Sequence, residues 1–132
     1  MNKFRTFRED MHKQLTASME DYLEMIYRLS KTKKYTRLSE LAHALNVSPA
    51  ATSEMLHKLA ALNYLIYDNG IITLTKSGHK KGILLLKRHN IITEFLKYLK
   101  LDPKLIFRET EKIEHTIGNE TLKCIEEFIK DK

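Results

Sequence analysis

Glu111-Lys112-Ile113-Glu114-His115 is the stretch of the chain with the most chemical content. Residues three and four apart share a helical face. On a helix, Glu111 stands beside Glu114 and His115, while Ile113 turns away toward a core. Two carboxylates and an imidazole on one side suit a divalent cation. The same spacing is common on solvated faces, where acidic side chains meet only water and ion-pair partners. The two readings separate on whether other helices supply matching donors. Asp21 and Glu24, three apart near the start of the chain, are candidates. Each has a plainer role open to it, Asp21 as the capping-box partner of Ser18 and Glu24 as the i,i+4 partner of Arg28. His89 lies in a long apolar helix, where a lone histidine is more often a buried, hydrogen-bonded residue than a ligand.

The elements that must position these residues can be read in order. Residues 1–17 form an arm with Lys3, Arg5, Arg8 and Lys13 against Glu9 and Asp10. It reads as mobile or loosely helical, a solvated tail or a contact to DNA phosphates. Ser18 is the expected N-cap of a first helix running to about Ser30, with Met19, Leu23 and Ile26 on one stripe. Leu38, Leu41, Ala42 and Leu45 mark a short second helix. Asn46-Val47 is a tight connection, and asparagine tolerates the left-handed conformation that ends helices. Ser48 caps a third helix with Pro49 at its first position, and Met55, Leu56, Leu59 and Leu62 are expected to face inward. Two short helices joined this tightly are a helix-turn-helix signature. Tyr64-Leu65-Ile66-Tyr67 and Ile71-Ile72-Thr73-Leu74 flank Asp68-Asn69-Gly70, a strong hairpin signal. A hairpin directly after the third helix is a wing. Thr75 caps a fourth helix, with Gly78 and Gly82 allowing close packing or weakening its start. Ile83, Leu86, Ile91, Ile92, Phe95, Leu96 and Leu99 give that helix more than one apolar stripe, as expected of a helix serving both its own lobe and a partner subunit. Asp102-Pro103 starts a fifth helix, with Leu105, Ile106 and Ile113 apolar and the acidic cluster beside them. Gly118-Asn119 ends it. Leu122, Ile125 and Ile129 form the inner stripe of a sixth, with Cys124 expected as a small core residue.

The fold class expected is mostly α, an N-terminal winged helix-turn-helix over 18–75 followed by a helical lobe over 76–132. Composition agrees with a globular domain or two small lobes: 132 residues, 42% hydrophobic and 30% charged. A formal net charge of +6 suits a polyanionic partner. With Cys124 as the only cysteine, no intrachain disulfide can form and a reducing compartment is expected. No secretory signal and no membrane span are expected, since Ile83-Leu84-Leu85-Leu86 is stopped by Lys87-Arg88-His89. The outward side of the third helix is small or polar near its N-terminus, and small residues let a helix approach the major groove. Ser39, Ser48, Ser53 and Lys58 are candidate phosphate contacts. Pro49, Ala50, Ala51 and Glu54 are candidates for base contact, Glu54 as an acceptor from a cytosine amino group.

In this arrangement the chain resembles the manganese transport regulator branch of the diphtheria toxin repressor (DtxR) family of metal-dependent repressors. The segments that carry the likeness are Ser18-Met19-Glu20-Asp21-Tyr22-Leu23-Glu24-Met25-Ile26-Tyr27, Lys87-Arg88-His89 and Glu111-Lys112-Ile113-Glu114-His115. It extends from Ser18 to Phe128 in the same element order. The resemblance implies metal ligands at Asp21, Glu24, His89, Glu111, Glu114 and His115, in a paired site bridged by Glu24 and Glu114. It implies a helical lobe that binds metal and dimerises, double-stranded operator DNA as partner, a cytoplasmic homodimer, and genes for manganese uptake as targets. Hard oxygen donors with two imidazoles suit Mn²⁺, which sits low in the affinity series and is selected by ligand type and geometry. Fe²⁺, Co²⁺, Zn²⁺ and Cd²⁺ are the expected substitutes. Iron-responsive relatives place a methionine and a cysteine where this chain has Asp21 and Glu111. Four carboxylates close together repel one another without a cation, so binding should order the site and release protons. Metal would then fix two recognition helices about 34 Å apart, at successive major grooves. Because the sequence ends at Lys132, the SH3-like third domain of longer relatives is expected to be absent.

Two other classes compete. One is a metal-independent winged-helix regulator whose acidic cluster is a solvated face or ion-pair network. The other is a di-metal enzyme. Ferritin-like sites use two Glu-x-x-His motifs on facing helices, and here Glu111-x-x-Glu114-His115 has no second copy. The zinc-protease pattern His-x-x-Glu-His fails because Glu111 occupies its first position. There is no nucleophile elbow, no phosphate-binding glycine loop, and no small-molecule substrate is expected beyond the metal ion.

Overall fold

A computed structural model describes residues 15–132. All but the last three residues of the expected N-terminal arm lie outside the described residues. The chain divides into two compact units between Gly78 and His79. Among the described residues there are six helices and three short strands.

The first unit holds α1 (Ala17–Leu29), β1 (Thr36–Arg37), α2 (Leu38–Leu45), α3 (Pro49–Ala61), β2 (Leu65–Asp68), β3 (Ile71–Leu74) and the first turn of α4 (Lys76–Tyr98). The cap of α1 is Thr16, not Ser18: Thr16 is extended and its hydroxyl accepts from Met19 N at 3.1 Å. Both residue types can cap, and the backbone conformation decides between them. Ser18 lies within the first turn, so the capping-box role for Asp21 falls away. Leu23 and Ile26 are fully buried, with Tyr22 beside them. Asn46 ends α2 in the left-handed region, its N–H reaching Ala42 O and His43 O. Ser48 caps α3 by accepting from Ala51 N at 3.1 Å, with Pro49 following. Leu56 and Leu59 are fully buried, whereas Leu62 is half exposed. The inward stripe stops early because α3 ends at Ala61 and the chain turns back at Asn63, φ 66°.

The wing closes through Asn69-Gly70, both at positive φ (51° and 78°), the type I′ geometry that asparagine and glycine favour. Leu65 pairs with Leu74 and Asp68 with Ile71. A third strand, β1, adds to the other edge of β3 through Thr36↔Ile72, giving the order β1-β3-β2. Two residues are too few to show an alternation, which is why the sequence does not announce β1. Thr75 then caps α4, accepting from Gly78 N at 3.1 Å while donating to Asn63 O at 2.7 Å. Gly78 packs against backbone, since a Cβ built there would lie 1.9 Å from Tyr64 O.

The second unit, His79–Lys132, contains the rest of α4, α5 (Pro103–Glu114) and α6 (Asn119–Lys130). Asp102 caps α5, accepting from Lys104 N at 3.0 Å, with Pro103 next. Ile92, Leu96 and Ile106 form the core, with Leu101, Ile113, Ile117 and Leu122 packed against it. The inner stripe of α6 is shallower than its periodicity suggests: Leu122, Ile125 and Ile129 are only partly buried. Cys124 is exposed, which corrects the expectation of a core thiol. On α4, Ile83, Leu84, Tyr98 and Leu99 remain exposed in the single chain.

Candidate metal centre and nucleic-acid interface

Helices α4 and α5 bring four of the expected donors together within the second unit. His89 Nδ1 lies 2.9 Å from Glu114 Oε2 and 3.6 Å from Glu111 Oε1. His115 Nε2 lies 3.4 Å from Glu114 Oε1. One donor atom each from Glu111, Glu114 and His115 falls within 4.8 Å of the others. Helical spacing accounts for Glu111 and Glu114, one turn apart on α5. His115 is the C-cap, and its right-handed backbone continues the turn far enough to keep its ring beside them. Ile113, as expected, points into the core.

The cluster is shielded. Glu114 is 3% exposed, and His89, Glu111 and His115 are partly buried. Glu114 Oε1 is buried with no hydrogen-bond partner among the described residues. His115 Nε2 stands near it at 3.4 Å without a hydrogen bond, and a buried carboxylate oxygen left without one costs free energy. The two imidazoles and two carboxylates of the cluster, Glu114 included, fit a hard or borderline divalent cation.

The other two expected donors lie in the first unit, on α1. Asp21 is partly buried and Glu24 is buried. Glu24 Oε1 accepts from Arg28 Nη2 at 3.0 Å, so the plain i,i+4 pairing exists and coexists with any ligand role.

The candidate DNA-contacting residues sit on α2 and α3. Ser39, Ser48, Pro49, Ala50, Ala51, Glu54 and Lys58 are exposed, and Ser53 is partly buried. Glu54 and Lys58 pair at 3.8 Å across one turn, both solvated. Thr52, on the other side of α3, is fully buried and its hydroxyl donates to Ser48 O at 2.9 Å. That bond locks the first turn of α3, where the small residues are. His57 meets Tyr67 edge to face at 5.6 Å, tying α3 to the wing.

Sequence reasoning missed two supports of the carboxylate–imidazole cluster. Phe107, one turn before Glu111, sets its ring edge-on to His89 at 6.4 Å. Thr93 and Thr110 meet through their hydroxyls at 3.3 Å, with Thr110 fully buried between α4 and α5. Thr110 directly precedes Glu111, the only signal that could have drawn attention to it.

Two family models match the chain in succession. One describes the iron-dependent repressor N-terminal DNA-binding domain and covers residues 14–70; the other describes the iron-dependent repressor metal binding and dimerisation domain and covers residues 75–131. An HTH-type transcriptional regulator MntR of Shouchella clausii is 38% identical over 117 residues, 87% of this chain and 81% of that protein. Its namesake from Lysinibacillus sphaericus is 36% identical over 116 residues, 87% of this chain and 84% of that protein. Among solved structures, the manganese regulator SloR superposes with a TM-score of 0.77 at 30% identity, over 89% of this chain. The chain spans about half of that longer protein, 56% of its length. No helix among the described residues is long and apolar enough to cross a membrane. A winged helix-turn-helix, a clustered set of carboxylate and imidazole donors, and these matches agree: the chain belongs to the iron-dependent repressor family of metal-responsive, DNA-binding transcription regulators.

Proposed function

We propose that the chain is a cytoplasmic, Mn²⁺-responsive repressor that binds operator DNA as a homodimer and controls genes for manganese uptake. The observation that carries the reading is the cluster of His89, Glu111, Glu114 and His115, which offers oxygen and imidazole nitrogen but no sulfur. The names of the MntR relatives and of the manganese regulator SloR support the choice of metal. In this reading Asp21 and Glu24 would complete the donor set, and a paired site would be held by Asp21, Glu24, His89, Glu111, Glu114 and His115. A bound divalent cation supplies positive charge that offsets the mutual repulsion of four carboxylates. Arg28 holds Glu24 until then. Because α1 belongs to the DNA-binding unit, its two carboxylates link metal occupancy to the DNA-competent state, and DNA must tighten metal binding by the same factor. Ser39, Ser48, Ser53 and Lys58 contact phosphate, and Pro49, Ala50, Ala51 and Glu54 face base edges. Exposed Ile83, Leu84 and Leu99 on α4 support a dimer contact.

The test is fluorescence anisotropy of labelled promoter DNA at one fixed salt concentration, with Mn²⁺, with Mg²⁺ and with neither. Fixed salt is essential because phosphate contacts make affinity steeply salt-dependent. A gain of about tenfold or more with Mn²⁺ alone is expected, in the usual range of coupling free energies. Equal affinity in all three conditions would leave a metal-independent regulator in which the Glu24–Arg28 and His89–Glu114 contacts are plain ion pairs. Selectivity gives a second test. Glu111→Cys substitutes a soft thiolate for a hard oxygen and relaxes selectivity toward Fe²⁺ or Co²⁺. Unchanged metal preference in the same titrations would count against Glu111 as a ligand.

A further inference from the structure

Helix α4 grips Glu114 with two consecutive residues. His89 Nδ1 meets the side chain at Oε2, 2.9 Å away. Arg88 Nη1 donates to the main-chain carbonyl oxygen of the same residue at 3.0 Å. The other terminal nitrogen, Nη2, lies 3.5 Å from Asn119 Oδ1, on the first residue of α6. One guanidinium thus spans the corner where α5 ends and α6 begins. The last carbonyls of a helix have no partner within it, and Arg88 supplies one at the residue that also carries a buried donor side chain. Gly118, the N-cap of α6, offers no side chain to hold the corner from within. Anchoring the Glu114 carbonyl fixes the last turn of α5, and with it the direction of the Glu114 carboxylate and the His115 ring at the C-cap.

We propose that Arg88 is a positioning residue for the metal centre, holding Glu114 and His115 in the arrangement a divalent cation requires without touching the cation itself. This rests on the metal reading above and deepens it. The sign of the effect distinguishes positioning from plain electrostatics. Arg88 is a cation near a cation site, so through-space repulsion alone predicts that removing it tightens metal binding. A positioning role predicts the reverse, a loss of the size seen when partners that orient metal ligands are removed, about 10- to 100-fold. Lysine separates the two further. It keeps the charge, but a single ammonium does not reproduce the fork that reaches both Glu114 O and Asn119 Oδ1.

The experiment compares the full 132-residue chain as wild type, Arg88→Ala and Arg88→Lys. Mn²⁺ affinity is read from the paramagnetic resonance of the free ion, and site geometry from the visible absorption of bound Co²⁺. Circular dichroism without metal checks folding. The expected result is Mn²⁺ binding weaker by about tenfold or more in Arg88→Ala, an intermediate loss in Arg88→Lys, and a Co²⁺ spectrum altered in both. Arg88→Ala binding as tightly as wild type, or more tightly, overturns the proposal. If Arg88→Ala does not fold, Arg88→Lys decides: wild-type affinity and spectrum overturn the proposal, and a weakened site with a changed spectrum upholds it. A wild-type chain that binds neither ion overturns the metal reading itself, a failure visible before any variant is compared.

Discussion

Glu114→Gln is expected to remove the metal response of DNA binding while leaving the metal-free fold in place. Glutamine fills the same volume in a position that is 3% exposed, so no cavity is created. It takes away the negative oxygen that lies at 2.9 Å from His89 and leaves the other, Oε1, buried without a hydrogen-bond partner among the described residues. At metal concentrations about 100-fold above the dissociation constant, binding stabilises the folded state by roughly 2.7 kcal/mol. If the substitution weakens binding about 100-fold, the same concentration gives only about 0.4 kcal/mol. The Mn²⁺-induced rise in melting temperature should therefore nearly vanish, together with the Mn²⁺-induced gain in anisotropy. A variant that retains both would show that Glu114 is a structural carboxylate and that the donors lie elsewhere.

Gly78→Ala is expected to destabilise the first unit by about 3 kcal/mol or more, at the upper end of overpacking costs. The new methyl would stand 1.9 Å from the carbonyl oxygen of Tyr64, and that neighbour is backbone, not the mobile end of a side chain. Helix propensity alone predicts the opposite, a gain of about 1 kcal/mol for alanine over glycine within α4. The sign of the change in a urea denaturation midpoint therefore decides which effect wins. Gly118→Ala is the internal control. A Cβ there meets nothing within 4 Å, and as an N-cap change it should cost at most about 1 kcal/mol. If both glycines tolerate alanine equally, the close approach of α4 to Tyr64 is not a constraint on stability.

Local chemistry made much of this fold legible. Ser48-Pro49, Asp102-Pro103, Asn46 and Asn69-Gly70 each have one backbone conformation that suits them well, and each adopts it. What could not be read is what depends on distant neighbours. Thr16 and Ser18 are both competent caps, and the extended backbone of Thr16 itself makes it the cap. Cys124 and Leu62 are apolar enough for a core, yet each lies where its helix or turn faces outward. In the cluster, Glu111, Glu114 and His115 were legible because helical spacing alone brings them together. His89 was not, because its partner is 25 residues away; only the resemblance to a family pointed to it. Arg88 stands in the Lys87-Arg88-His89 segment that carries the resemblance, but its own role gave no signal, since what it grips is a carbonyl, and every residue has one.

The order β1-β3-β2 also has a consequence in time. The pairing of β2 with β3 closes across Asn69-Gly70, while that of β1 with β3 joins Thr36 to Ile72. Closing the second, far longer loop costs about 2 kcal/mol more in chain entropy by the usual logarithmic scaling. A hairpin of this kind forms in about 1–10 μs, before the longer loop is worth closing. The wing is therefore expected to serve as the template on which Thr36 and Arg37 find their register. A lesion in the Asn69-Gly70 turn should slow the assembly of the whole first unit, including α1.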